Sequence, residues 1–198
     1  MLQTIATLGH ALGFSLAAGV NLYATVAILG LVSRFGWVDL PPQFAVFDSD
    51  LVIAGALLLY AVEFVADKIP WVDSAWDTVH TVIRPLGGAF LAVTSLGEVS
   101  TGAEAIMALV GGTVAAGAHF TKASTRAAVN TSPEPVSNWV LSLAEDGFVL
   151  GLGVLTLTFP MVAFFVAAVL VVLMLCFLGW ISRAAWRRFG RRRGAQPA

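Results

Sequence analysis

Six acids, three bases and two histidines stand out as chemistry-capable side chains in an otherwise apolar sequence. Glu63 and Asp67 are one helical turn apart, and Asp73, Asp77, His80 and Arg84 recur at spacings of four, three and four. On a helix that spacing makes one continuous polar face. His119, Lys122, Arg126 and Asn130 repeat the pattern at three, four and four, and Asn138, Ser142, Glu145 and Asp146 follow. As a cation or proton route, Glu63, Asp67, Asp73 and Asp77 supply charged oxygens, and Asn21 and Asn138 supply neutral ligands. His80 is of the side-chain type that exchanges protons near neutral pH. Oxygen-rich ligation selects a hard divalent cation such as Mg²⁺ over a soft metal. No other cofactor is implied. The basic group His119, Lys122 and Arg126 suits the opposite cargo, an anionic solute or a lipid headgroup.

Two further roles use the same residues. Burying a carboxylate in a bilayer costs several kcal/mol even on permissive scales. Acids grouped this way therefore need partners, and a salt-bridge network joining the two polar segments supplies them, as in a structural or regulatory subunit. Alternatively, paired acids hold a metal while Arg84 or Arg126 grips a lipid phosphate and a histidine acts as acid or nucleophile. Against an enzyme, no phosphatase or transferase signature is present, and Asp77 with His80 at i,i+3 is a weak motif.

The elements that must position these residues are membrane helices. The chain has 198 residues, 58% hydrophobic and only 12% charged, about half the charge of a soluble domain. Several apolar runs approach the ~20 residues that span a bilayer. The sequence predicts an all-α polytopic bundle of about six spans, one domain over residues 1–182, followed by a basic tail over 183–198. That tail (Arg183, Arg187, Arg188, Arg191, Arg192, Arg193) reads as a cytoplasmic anchor on anionic lipid headgroups rather than a nucleic-acid site. The lone Cys176 excludes an intramolecular disulfide and is expected to pack between helices. The N-terminal apolar stretch lacks a basic leader and reads as a retained first span.

In order, a first span over about 7–33 carries Asn21 near mid-membrane, beside Gly19, with His10 as an interface residue near its cytoplasmic start. A loop with Asp39, Asp48 and Asp50 leads to a second span over about 51–66. Including the polar face from Asp77 gives the next apolar run full span length, with Pro85 expected to kink it. A Gly-rich span over about 103–120 suggests close helix contact and is compatible with a homo-oligomer. The Ser132–Pro135 break follows, with Pro135 suited to the first turn of a new helix and Glu134 to its positive end. A last, almost wholly apolar span covers about 160–181. Six crossings put both termini and Lys68, Lys122 and Arg126 in the cytoplasm and the loop acids outside, as positive-inside asymmetry requires. The expected site is a bacterial cytoplasmic (inner) membrane.

The middle also looks duplicated, with halves over about 51–98 and 103–158. Each half runs span, charged helix end, Pro-containing break, Ser-x-Trp (Ser74-Ala-Trp76; Ser137-Asn-Trp139), polar helix and Gly-rich stretch. Interrupted or re-entrant segments in duplicated halves are a transporter habit and commonly mark the binding site. The charged ends differ in sign, Glu63 and Asp67 against His119, Lys122 and Arg126, so they are expected to face each other. The segment from Val62 to Pro85, with Asn130-Thr-Ser-Pro-Glu-Pro-Val-Ser-Asn138 and Ser142-Leu-Ala-Glu-Asp146, resembles the small bacterial membrane proteins grouped as domain-of-unknown-function family 4126. The resemblance covers most of the chain outside the arginine tail. It implies a polytopic inner-membrane protein and no particular activity.

Overall fold

A computed structural model describes residues 1–131 and 136–193, without the side chains of 188–193. The Ser132–Pro135 break, and the side chains of Arg188, Arg191, Arg192 and Arg193, lie outside the described residues. The described chain is helical throughout, with no strands: α1 Leu2–Phe35, a 3-10 turn Pro42–Phe47, α2 Asp50–Ala66, α3 Pro70–Leu96, α4 Thr101–Val129, α5 Val136–Thr158 and α6 Pro160–Arg193. Among the described residues, α1, α3, α4, α5 and α6 are long and apolar enough to cross a membrane. The 17-residue α2 is at the lower limit for a span.

The first helix decides the architecture. At 1.5 Å per residue its 34 residues would extend about 51 Å, well beyond a ~30 Å hydrocarbon core. It does not extend. Asn21 leaves the helical region at φ −148°, ψ 99°, and the two arms, residues 2–20 and 22–35, return to the same end of the bundle. The contacts show this directly. Phe44 stacks edge-on to His10 and Phe14, at centroid distances of 5.7 and 5.6 Å. The same 3-10 turn brings the Phe47 carbonyl to 3.0 Å from where a Cβ on Gly30 would stand. On a straight helix His10 and Gly30 would be about 30 Å apart; here both flank Pro42–Phe47. Along α5, Asn21 meets Asp146, whereas Ile28 meets Gly153 and Gly13 meets Thr156. Both arms therefore run toward the C-terminal end of α5.

The first helix is therefore a hairpin rather than the single straight helix expected there. The Leu2 end of α1 lies with Pro160, against the start of α6, and α6 then runs the length of the bundle to the opposite end. One end of the bundle carries Asp39, Asp48, Asp50, Glu98 and Glu104 with Arg34, and is called the acidic end below. The other carries the α2–α3 connection, the C-terminal end of α4, the start of α5, Lys68, Arg183 and Arg187, and is called the basic end. His10 sits at the acidic end, not at a cytoplasmic start shared with α6's C-terminus.

The remaining elements follow from their sequences. Pro70 opens α3 after an extended Ile69, with Asp73 in the first turn, where a missing N–H costs nothing and the helix dipole favours an acid. The α3 helix runs from Pro70 to Leu96 with Pro85 inside it. Its buried face is Asp73, Asp77, His80, Arg84, Gly88, Leu91, Ala92 and Ser95, polar toward the basic end and small or apolar toward the acidic end. On α4 the buried residues change the same way, from Gly111, Val114, Ala115 and Ala118 to His119, Lys122 and Arg126. Gly88 and Gly111 sit against Ala115 and Ala92 of the facing helix, an approach that only small residues allow. Ser15 Oγ donates to the Gly88 carbonyl at 3.0 Å, tying the α1 arm into the same seam. The α6 helix exposes most of its apolar surface, and Cys176 is exposed on it rather than packed between helices.

Candidate functional site

The tip of the α1 hairpin positions the site. A helix broken at Asn21 leaves carbonyls without intrahelical donors and amides without acceptors. Asn21 Oδ1 accepts from Ala24 N at 2.9 Å, the N-cap geometry that starts the returning arm. The freed carbonyls of the entering arm bind cations: Gly19 O accepts from Arg84 Nη1 at 3.4 Å and Val20 O from Lys122 Nζ at 3.2 Å. Placing positive side chains at a helix C-terminal end is also what the helix dipole favours. Asn21 Nδ2 donates to Asp146 Oδ1 at 3.3 Å. Non-helical backbone at this depth is tolerated only where protein or a polar cavity satisfies it.

Around this tip the charged ends of α2 and α4 face each other. Glu63 Oε1 accepts from Arg84 Nη2 at 2.7 Å and Lys122 Nζ at 3.3 Å, with Glu63 and Arg84 both fully buried. Lys122 also reaches Asp67 Oδ2 at 3.2 Å and Glu145 Oε2 at 3.5 Å. Arg126 grips Glu145 through Nε and Nη2, holds Asp67 Oδ2 at 2.9 Å, and donates Nη1 to the Asp67 backbone carbonyl at 2.7 Å. The last bond caps α2, whose C-terminal carbonyls lack helix donors. Lys68 does the same at the Phe64 carbonyl, 2.8 Å away, with its ammonium 3.1 Å from the Phe64 ring centroid. Partial burial of Lys68 lowers its pKa below the usual lysine value.

The outer acids are held more loosely. Asp73 accepts from Asn130 Nδ2 at 2.8 Å, with Arg126 3.7 Å from its other oxygen; Asp77 Oδ1 is 3.4 Å from Arg84 Nη1. One oxygen each of Glu63, Asp67, Asp73, Asp77 and Asp146 is buried without a hydrogen-bond partner. Both histidines have defined tautomers. Arg84 Nη1 donates to His119 Nδ1 at 2.9 Å, so the His119 proton is on Nε2 and points at Thr81 Oγ1, 3.1 Å away. His80 Nδ1 gives its proton to the Trp76 carbonyl at 2.7 Å, leaving Nε2 to accept from Tyr23 O–H at 2.9 Å.

Of the residues singled out in the sequence, the structure brings Asn21, Glu63, Asp67, Asp73, Asp77, Arg84, His119, Lys122, Arg126, Asn130, Glu145 and Asp146 into one connected network. His80 instead bonds Tyr23, on the returning arm, and the Trp76 carbonyl. Asn138 is buried on α5 but makes no bond to the network among the described residues. The four acids suggested as metal ligands do not share a centre. Among the described residues no three His, Cys, Asp or Glu side chains are grouped to hold a metal ion, and each of the four is turned toward a base instead. Arg84 and Arg126, the phosphate grips of the enzyme reading, are occupied by carboxylates. The sequence reading had no role for Tyr23, Thr81 or the Gly19 and Val20 carbonyls. The length of α1 was the signal available for the last two.

Two cavities reach the network. One of about 200 Å³ lies between α3 and α4 and is lined by Asp73, Asp77, Thr81, His119 and Arg126. The other, about 410 Å³, is an apolar cleft bounded by α1, α4, α5 and α6, with Lys122 and Glu145 at its polar edge. On the acidic side of Arg84 and His119 the buried residues become small or apolar, Gly88, Leu91 and Ala92 on α3 and Gly111, Val114 and Ala115 on α4.

The family described as a domain of unknown function, DUF4126, matches residues 8–180, a span that takes in both arms of α1 and every charged residue of the network. The chain belongs to the DUF4126 family. No curated protein and no solved structure matches it. For this family member, function must therefore be argued from its own geometry.

Proposed function

We propose that this DUF4126 protein is a membrane transporter or channel for a small solute or ion. Its site is the charged network at the tip of the α1 hairpin. The observation that carries this reading is the break at Asn21: a re-entrant helix whose freed carbonyls and cap side chain enter a buried network of acids and bases. Broken helices meeting at mid-membrane are how many secondary transporters build their sites, and ionisable residues at that depth are rarely retained without a functional role. The α3–α4 cavity gives the network an access route, as a transport site needs.

In this reading α2 to α6 cross the membrane and α1 enters and leaves on one side, with the basic end in the cytoplasm. That places Lys68, Arg183 and Arg187 inside and Asp39, Asp48, Asp50 and Glu98 outside, in keeping with positive-inside asymmetry. The membrane is the cytoplasmic membrane, with anionic lipid at the C-terminal arginines. The helix–break–helix segments over about 51–98 and 103–158 are duplicated halves whose breaks both face the cytoplasm.

A second reading has a specific observation in its favour. Lys122 and Arg126 each hold two or more acids, as in a structural or regulatory subunit stapled by ion pairs. Reconstituted vesicles separate the two. Uptake of radiolabelled inorganic cations, protons (by entrapped dye) or small anions above empty-vesicle levels, lost in Asn21→Ala without loss of folded protein, is the expected result. Flux equal to empty vesicles across that panel would sink the transport reading and leave the structural one.

A further inference from the structure

We propose that the apolar cleft bounded by α1, α4, α5 and α6 binds a long-chain amphiphile whose head donates hydrogen bonds, a hydroxyl or an ammonium. The inference goes beyond the transport reading and does not depend on it, because such binding is measurable without any flux.

The cleft follows from how the helices pair. The Gly88–Gly111 seam draws α4 onto α3, whereas α5 packs chiefly on α1 and α6 and touches α4 little. The gap between α4 and α5 is bridged by side chains, with Lys122 and Arg126 reaching Glu145. Beside that bridge lies a volume of about 410 Å³, within the range of small-molecule sites. Leu16 and Val20 of α1 and Leu170, Leu173, Met174 and Phe177 of α6 give it apolar walls. Protein interiors are close-packed, and an unfilled apolar space of this size forfeits dispersion contacts along its lining. Leu173 lines the cleft and is also 59% exposed, so the cleft opens on the apolar surface of α6, where lipid chains lie.

The polar wall decides the head. A hydrocarbon chain gains little by exchanging lipid for an apolar cleft, so selectivity has to come from polar groups. Lys122 has no proton to offer an anion. Its three donors are engaged by the Val20 carbonyl, Glu63 and Asp67 at 3.2, 3.3 and 3.2 Å. The other polar side chains on the lining, Thr121, Thr125 and Glu145, are acceptors. Thr121 and Thr125 give their hydroxyl protons to the Gly117 and Thr121 carbonyls, both at 2.9 Å, and accept no hydrogen bond among the described residues. Glu145, with its side chain 11% exposed, is more open than Glu63, Asp67, Asp73 or Asp77. Its Oε1 accepts only from Arg126 Nε, although a carboxylate oxygen takes two donors. Two hydroxyl oxygens and a carboxylate oxygen repel a carboxylate or phosphate head and favour one that brings protons. A donor to an ionised carboxylate makes the stronger class of hydrogen bond.

The test uses the full chain in phosphatidylcholine nanodiscs, because that lipid's head carries no hydrogen-bond donor. The probe is hexadecanol with a photoactivatable diazirine in its chain, and mass spectrometry locates the adduct. Labelling is expected at Met174 and Phe177, in the cleft, in excess of Val172 and Leu175, exposed on the same helix. Unlabelled hexadecanol or hexadecylamine should displace it saturably, and whichever displaces better tells a neutral from a cationic ligand. Hexadecyl methyl ether, the same chain without a donor, should compete at least about tenfold less well, the order of one charge-assisted hydrogen bond. Palmitate should compete no better than the ether. Replacing both hydroxyls, Thr121→Val with Thr125→Val, should narrow the gap between alcohol and ether. Ala144→Trp fills the cleft from an exposed position. It should keep its melting point and lose the labelling of Met174 and Phe177, but not that of Val172 and Leu175. Equal labelling of the two faces of α6, adducts that excess hexadecanol does not displace, or equal competition by the ether overturns the proposal. The ether comparison needs no variant, so it stands even if a substitution prevents folding. Absence of ion flux in reconstituted vesicles removes the transporter and leaves this site standing.

Discussion

Arg34 and Arg126 each hold two or more acids, and burial predicts that they matter very differently. Arg34 clasps Asp48 and Asp50 at the acidic end, with its side chain 37% exposed. Arg126 clasps Asp67 and Glu145, with its side chain 1% exposed. In water the attraction is largely offset by side-chain ordering and screening, so Arg34→Met should cost no more than about 1 kcal/mol. Removing Arg126 leaves Asp67 and Glu145, with exposures of 3% and 11%, to Lys122 alone and uncaps α2. Breaking a buried pair by deleting one partner costs roughly 3–5 kcal/mol. Conversion at roughly 2–4 °C per kcal/mol for a chain of this size gives a melting-point loss of about 6–20 °C for Arg126→Met against about 4 °C or less for Arg34→Met. The assay is fluorescence-detected thermal stability in detergent, with Arg126→Lys alongside. Lysine keeps the charge but not the fork that spans Asp67 and Glu145, so it should recover only part of the loss. Raising salt should erase the Arg34 effect and leave the Arg126 effect nearly unchanged. Equal losses for the two methionine variants, or an Arg126→Met loss below about 1 kcal/mol, would refute the claim that burial sets the value of these pairs.

The hairpin makes a topological prediction: with Cys176 replaced, single cysteines at Gln3 and Arg187 should react with impermeant thiol reagent from opposite sides of sealed vesicles. Labelling from the same side means α1 crosses the membrane. Asn21→Ala removes a helix cap and the partner of Asp146, so it should destabilise by about 1–3 kcal/mol, read as a lower melting point, and a neutral result would show that the tip does not depend on the cap. In the seam, a methyl on Gly111 would collide with Ala92 Cβ and the Gly88 carbonyl, so Gly111→Ala should cost roughly 1–3 kcal/mol. At Gly102, where nothing stands within 4 Å, the same change should be neutral or slightly stabilising by restricting the unfolded chain; comparing the two melting points checks the seam.

The helical class and the polar faces were legible because both are periodic properties of a single helix. Asp73, Asp77, His80 and Arg84 share a face in any α-helix, and so do His119, Lys122 and Arg126; the opposite signs of Glu63 and Asp67 against Lys122 and Arg126 already pointed to their meeting. The folding back of α1 was not legible from hydropathy. Both arms are apolar, and Gly-Val-Asn within such a run reads equally as a packing contact or as a break. Only length argued otherwise, since about 51 Å of helix does not fit a bilayer upright. At Pro85 the missing N–H predicts a kink, and the helix continues on both sides of it.

By itself, then, the sequence determined that this protein lives in a membrane as a helical bundle, and which side chains line each helix, because composition and periodicity are local quantities. Tertiary structure decided which carboxylate meets which base, that Asp73 and Asp77 are held more loosely than Glu63, Asp67 and Glu145, and that the start of α1 and the described end of α6 lie at opposite ends of the bundle. Those outcomes depend on where α1 turns, and the turn at Asn21 exists only because Arg84, Lys122 and Asp146, distant in sequence, satisfy the backbone and side chain it exposes.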